Sequence, residues 1–219
     1  MSIADNLKKI KEKLPEQVTL VAVSKTKPIG DLQSAYESGQ RIFGENKIQE
    51  MTEKWESLPK DIKWHMIGHV QRNKVKYMAE YVDLIHGVDS LRLLKEINKQ
   101  ALKKKRVISC LLQVHIAEEE TKFGLSQKEL LTMVDSDDFK VLKNIKVKGL
   151  MGMATFTDDT TQVRKEFKTL KSCFDLLKTK LPDLHVLSMG MSGDYQIAIE
   201  EGSTMVRIGS SIFGARNYS

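Results

Sequence analysis

The sequence predicts an α/β protein: a single (β/α)8 barrel over residues 1–219 with one extra helix at its N-terminus. Three observations carry that expectation. Short apolar, β-branched runs alternate with amphipathic helical patterns along the chain, which argues for parallel strands joined by crossover helices. The alternation yields eight strand candidates, the number that closes a barrel. No strand is followed by a GxGxxG turn, so an open, doubly wound sheet lacks its fingerprint.

The elements follow in order. Ile3 to Leu14 has helical spacing and precedes every strand, so it is the extra helix. Thr19–Ser24 is a continuous apolar run, as expected of a strand buried on both faces. Pro28 opens the helix Ile29–Glu37, proline being suited to the first helical position. Further strands are expected at Arg41–Gly44, Lys63–Ile67, Leu84–Val88, Ile108–His115, Val147–Ala154, His185–Met189 and Met205–Ile208. Helical patterns separate them at Lys47–Glu56, Val70–Glu80, Leu91–Lys104, Gln127–Val134, Thr161–Lys180 and Asp194–Glu201. No linker, solenoid repeat or low-complexity segment interrupts the series.

Composition bounds the function. With 41% hydrophobic and 29% charged residues, the chain reads as an ordinary globular protein. The net charge of +6 draws small phosphates, but there is no aromatic interleaving or nucleic-acid motif. The densest basic run, Lys103–Arg106, ends a helical pattern, where cations suit the negative end of the helix dipole. No apolar run approaches ~20 residues and no signal pattern opens the chain, so no membrane contact and residence in the cytoplasm are expected. Cys110 and Cys173 have no CxxC spacing and read as small core residues in a reducing compartment.

A barrel places its active groups in the loops that leave the strands for the helices. Lys25 closes the first apolar run and stands where a strand ends and a turn begins. A lysine there either reaches solvent or serves as a catalytic or cofactor-binding amine. The loops after the seventh and eighth strands, Ser188–Asp194 and Arg207–Ser211, are rich in glycine and serine and suit a phosphate cup. Ser192 also reads as a helix N-cap, with Gly202 as the matching C-terminal stop. His65 reads as a hydrogen-bonded core histidine, while His69 and His115 could face the mouth without metal-like spacing. Glu118–Glu120 reads as a solvated loop, and Met151, Met153, Met189, Met191 and Met205 as core or pocket lining.

Several motifs in order resemble one family: Ala22–Pro28, Phe43–Asn46 with Gln49 and Glu50, Trp64–Gly68 with Gln71–Lys74, Gly149–Met151, Leu187–Ser192 and Gly202–Arg216. They resemble the pyridoxal phosphate homeostasis proteins, single barrels similar to the N-terminal domain of alanine racemase. The resemblance implies pyridoxal 5′-phosphate as cofactor and makes Lys25 the Schiff-base lysine. It assigns the phosphate to Ser192, Gly209 and Ser210, sets Arg207 against the pyridine nitrogen, and lines the ring pocket with Asn46 and Met189. This sequence departs from relatives at Gly68–Gln71 and at Gln113–Ile116, while Lys122–Gly124 keeps the family's Lys-x-Gly.

A cofactor whose ring nitrogen faces a guanidinium is a weak electron sink. With that setting and what the resemblance implies, the expected function is a monomeric carrier in vitamin B6 balance, with apo forms of cofactor-dependent enzymes as partners and little or no catalysis. The alternative is a racemase-like enzyme. Such enzymes complete their site with a tyrosine from a second domain, and the expectation is that this chain, ending at Ser219, has none. A third reading, a cofactor-free phosphosugar barrel enzyme, would leave Lys25 without that role.

Overall fold

In the computed structural model, which describes residues 2–118 and 123–215, eight parallel strands pair in chain order and the first meets the last. They are β1 (Thr19–Val23), β2 (Ile42–Glu45), β3 (Lys63–Met66), β4 (Val82–Val88), β5 (Ile108–Gln113), β6 (Ile145–Met151), β7 (Val186–Ser188) and β8 (Met205–Ile208). The helices are α1 (Ile3–Lys13), α2 (Ile29–Glu37), α3 (Ile48–Ser57), α4 (Val75–Met78), α5 (Leu91–Lys103), α6 (Gln127–Asp135), α7 (Asp137–Lys140), α8 (Thr160–Lys178), α9 (Tyr195–Glu200) and α10 (Ser210–Phe213). The expected (β/α)8 barrel with an additional N-terminal helix is what the chain forms.

Strand alternation divides the apolar residues between two cores. Leu20, Ala22, Phe43, Trp64, Ile85, Leu112, Leu150, Leu187 and Val206 point outward and pack under the helices. Val21, Leu84, Leu111, Met151, Val186 and Met205 point inward and plug the lumen. The barrel is thus a filled core, and a ligand has room only at its ends. Three one-residue irregularities adjust the wall, the third between Ile85 and Val88 of β4, which pair with Cys110 and Leu112. Trp64 pairs with Val82 but His65 with Leu84, so Asp83 is the extra residue. Cys110 pairs with Val147 but Leu111 with Gly149, which makes Lys148 the second.

The local differences from the sequence reading have physical causes. The single helix expected at Val70–Glu80 is a 3-10 turn, Arg72–Lys74, followed by the short α4. Gln71 to Lys74 offers no apolar face, and burial resumes only at Val75 and Met78. Ser136 interrupts the chain after α6 by capping Phe139, which creates α7. β5 stops at Gln113, because Val114 leaves the ladder for an isolated bridge to Leu125, and β6 starts early, at Ile145. Pro28 is the N-cap of α2, one position before its first helical residue. The Lys103–Arg106 run is absorbed locally: Lys104 pairs with Glu80, and Arg106 donates to the Ala79 and Val82 carbonyls. Both cysteines are free and buried. Glu119, Glu120, Lys122 and Arg216, singled out in the sequence, lie outside the described residues.

No helix among the described residues is long and apolar enough to cross a membrane.

Candidate functional site

Lys25 leaves β1 at the carboxyl end of the barrel. Val21 lies in the lumen cluster, so the period-2 rule gives Val23 and Lys25 the same inward face. Lys25 itself is half-buried. The chain then folds into a tight turn, in which the Lys27 N–H donates to the Ser24 carbonyl at 3.0 Å. Thr26, the third residue of that turn, has φ +65°, a left-handed conformation that a β-branched residue adopts only at a cost.

A buried charged cluster braces this turn from behind. Lys54 on α3 is 4% exposed, and its ammonium donates to the Ser24 carbonyl at 2.8 Å, Glu45 Oε1 at 2.8 Å and Glu50 Oε1 at 2.7 Å. Ser24 Oγ donates to Glu45 Oε1 at 2.6 Å, and the Thr26 N–H to Glu50 Oε1 at 2.6 Å. Burial raises the Glu45 pKa, against the pull of Lys54 and Ser24. Its Oε2 has no partner.

β8 is the neighbour of β1, with Ala22 opposite Ile208. The loop after β8 therefore rises beside Lys25. There the Gly209 N–H donates to Ser192 Oγ at 3.2 Å, which ties the β7 and β8 loops together. A Cβ on Gly209 would stand 3.2 Å from the Val23 carbonyl oxygen, so the two strand ends pack closely at this seam. Ser210 is exposed and begins α10. Ser192 is not the cap of α9, as its sequence context suggested. Asp194 holds the N-cap position, and its carboxylate takes the Met191 N–H, which leaves Ser192 to the loop contact. Gly202, at φ +95°, does follow the C-terminus of α9.

Below the mouth the lumen turns polar. Arg207 is 4% exposed, and its guanidinium donates to Ser188 Oγ at 2.6 Å and to the Gly152 carbonyl at 3.0 Å. Burial lowers its pKa to about 10, opposed by Asp194, so it remains a cation at neutral pH. Ser188 Oγ lies 3.1 Å from His86 Nδ1, and His86 Nε2 lies 3.0 Å from His65 Nδ1. His65 Nε2 ends the row 3.4 Å from Asp83. Asp83 is a carboxylate and can only accept, so His65 donates to it from Nε2; with both imidazoles neutral, His86 then donates from Nε2 to His65 Nδ1 and takes the Ser188 hydroxyl proton at Nδ1. Burial lowers both histidine pKa values, that of His86 strongly.

The remaining residues singled out in the sequence are distributed around this centre. Asn46 is half-buried just past β2. Met189 is fully buried in the core beneath the helices, away from the lumen cluster. Met151 and Met205 plug the lumen, and Met153 packs against that plug. His69 pairs with Asp89 at 3.4 Å and stacks on Phe123 with centroids 4.3 Å apart. The half-buried His115 donates its N–H to the Leu125 carbonyl. Glu118 donates its N–H to Glu166 of α8, which also takes the N–H and hydroxyl of Thr155 and so ties two rim loops. Among the described residues no group of three or more His, Cys, Asp or Glu side chains could hold a metal.

Sequence reasoning passed over His86 and Lys54, counted Ser188 into the loop after the seventh strand, and gave Glu45 no role of its own. His86 and Ser188 carried a usable signal, since each is a polar residue at an inward strand position. Lys54 carried none, because a lysine on an amphipathic helix ordinarily faces water.

Comparison with known proteins bears on this geometry. The family model described as the N-terminal domain of alanine racemase matches residues 1–217. A pyridoxal phosphate homeostasis protein from Haemophilus influenzae is 39% identical, over 100% of this chain and 98% of its own. The solved structure of PipY from Synechococcus elongatus without PLP superposes with a TM-score of 0.92 at 33% identity, covering 97% of this chain and 100% of that one. PipY with PLP bound gives 0.89 at the same identity and coverage.

Proposed function

The chain belongs to the alanine racemase N-terminal domain family and to its pyridoxal phosphate homeostasis branch, and from that premise we propose that it holds pyridoxal 5′-phosphate as a Schiff base on Lys25, buffering the cofactor with little or no turnover. One observation carries the reading: Lys25 and the Ser192–Gly209–Ser210 loop pair leave adjacent strands at one seam of the mouth. On this cofactor the aldehyde and the phosphate arm occupy neighbouring ring carbons, so an amine and an anion site must stand side by side. The ring nitrogen lies across from the aldehyde, and Arg207 lies deeper in the same lumen.

The residues present fit the group. Ser192 accepts from Gly209 and so keeps its own hydroxyl proton to donate to an anion. Ser210, exposed and next in sequence to Gly209, adds a second hydroxyl. Asn46 lines the ring pocket in this reading, while Met189, buried in the core beneath the helices, does not reach it. When bound, the cofactor supplies an aldehyde that condenses with amines and a ring that withdraws electrons. Lys25 would hold it, its amine being the group placed to condense with that aldehyde with loss of water. Arg207 stays protonated at neutral pH and offers only donors, so it holds no proton-accepting partner for the ring nitrogen and leaves the electron sink weak. His65 and His86 spend their hydrogens within the buried row and offer no base to a substrate at the mouth. These features support a carrier over a racemase.

Borohydride reduction of the loaded protein, followed by peptide mapping, tests the attachment. The pyridoxyl group is expected on Lys25; an adduct confined to another lysine overturns it. Deuterium wash-in at the α-carbon of a panel of L-amino acids tests the carrier assignment. Turnover within the ordinary enzymatic range of about 1–10³ s⁻¹ would replace carriage by catalysis.

A further inference from the structure

The turn that bears Lys25 is held at three points by side chains from β2 and α3 and by its own serine hydroxyl. Its first carbonyl, that of Ser24, accepts both the Lys27 N–H that closes the turn and the buried Lys54 ammonium. Its third residue, Thr26, is left-handed, and the Thr26 N–H is taken by Glu50 Oε1, the oxygen that also binds Lys54. Glu45 completes the brace through Ser24 Oγ and Lys54. Left-handed backbone at a β-branched residue costs about 1–3 kcal/mol and persists only where its surroundings impose it. Here the imposing group is identifiable, because Glu50 fixes the peptide nitrogen of the strained residue itself. The strain adjoins the residue whose amine must meet an aldehyde.

We infer that Glu50, supported by Lys54 and Glu45, is a positioning residue for Lys25: it locks Thr26 in the left-handed conformation that presents the lysine amine at the seam beside the anion loops. The inference rests on the Schiff-base reading and deepens it. Released from Glu50, Thr26 relaxes toward extended backbone and carries Lys25 away from the seam. The anion loops, built on β7 and β8, stay in place. The aldehyde-dependent part of cofactor binding should then be lost while the phosphate-dependent part is kept.

The test compares pyridoxal 5′-phosphate with 4-deoxypyridoxine 5-phosphate, which has no aldehyde. Glu50→Ala should weaken binding of the aldehyde about tenfold, the effect of releasing one strained residue, and leave binding of the deoxy compound unchanged. Thr26→Gly in the same background should restore aldehyde binding, since glycine takes positive φ without strain. Glu50→Gln, which keeps an oxygen for the Thr26 N–H, should stay near wild type even if Glu50→Ala folds poorly. Equal loss for both ligands, no rescue by Thr26→Gly, or a Glu50→Gln variant as impaired as Glu50→Ala would overturn the inference. If wild-type protein gives no Lys25 adduct, the cofactor reading fails first and the positioning role with it. If wild type gives the adduct and Glu50→Ala binds the aldehyde as tightly, the positioning role alone fails.

Discussion

Replacing Lys54 by methionine isolates what a buried charge contributes to this barrel. The side chain is 6% exposed and faces two carboxylates, Glu45 at 0% and Glu50 at 22% exposure, with N···O distances of 2.8 and 2.7 Å. Methionine fills a similar volume but leaves Glu45 buried without its cation. Breaking a buried pair from one side costs about 3–5 kcal/mol. At about 2–4 °C per kcal/mol for a chain of this size, the melting temperature at pH 7 should fall by about 6–20 °C. The pH dependence gives the sharper readout. The folded Glu45 pKa is already raised above 4.5 by burial, and without Lys54 it rises further. A carboxyl with a raised folded pKa contributes stability below its unfolded pKa and loses it as pH climbs through the folded value. The deficit of Lys54→Met should therefore shrink as pH is lowered from 7 toward 4.5, when Glu45 takes up a proton in the fold. Adding Glu45→Gln should recover much of the loss at pH 7. Urea unfolding at pH 7, 6 and 5 measures all three proteins. A deficit below about 1 kcal/mol, or one that does not change with pH, would refute the account of a desolvated pair.

Three further outcomes are expected. Ser192→Ala with Ser210→Ala should weaken binding of pyridoxal 5′-phosphate by a few kcal/mol, at about 1.5–3 kcal/mol per hydrogen bond to a charged group, and leave pyridoxal without phosphate unaffected; native affinity in equilibrium dialysis would put the anion elsewhere. His65 and His86 are held neutral, with pKa values lowered from 6.5, so the unfolded chain takes up protons that the barrel refuses and stability should fall as pH drops below about 6.5. His86→Asn should flatten part of that slope in urea titrations, and an identical slope would show that His86 is not the group responsible. Burial pushes the Cys110 thiol up to about 12 and raises that of Cys173, so neither should react with a thiol reagent at pH 8 until urea unfolds the chain; rapid labelling of the native protein would contradict the packing of β5 and α8.

By itself, the sequence determined the architecture and marked out the residues proposed for the mouth. Runs such as Thr19–Val23 and Ile108–Gln113 are apolar enough to be strands only if both faces are buried, and eight of them alternating with helices close a parallel barrel. Lys25, Ser192, Arg207, Gly209 and Ser210 were legible because each occupies a strand end or the loop just beyond it, and the barrel rule gives those positions a meaning. Tertiary structure alone decided how they are held. Lys54 looks like any helix-surface lysine until α3 is folded over β1 and β2, where its ammonium meets a carbonyl and two carboxylates. Ser192 looks like a cap until the β8 loop brings the Gly209 N–H to it across 17 residues of chain. The row from Arg207 to Asp83 joins β8, β7, β4 and β3, and a bulge that periodicity does not encode turns Asp83 into it. Periodicity reports which face of an element is buried. Which buried polar group meets which depends on register and closure, and those exist only once the eighth strand has found the first.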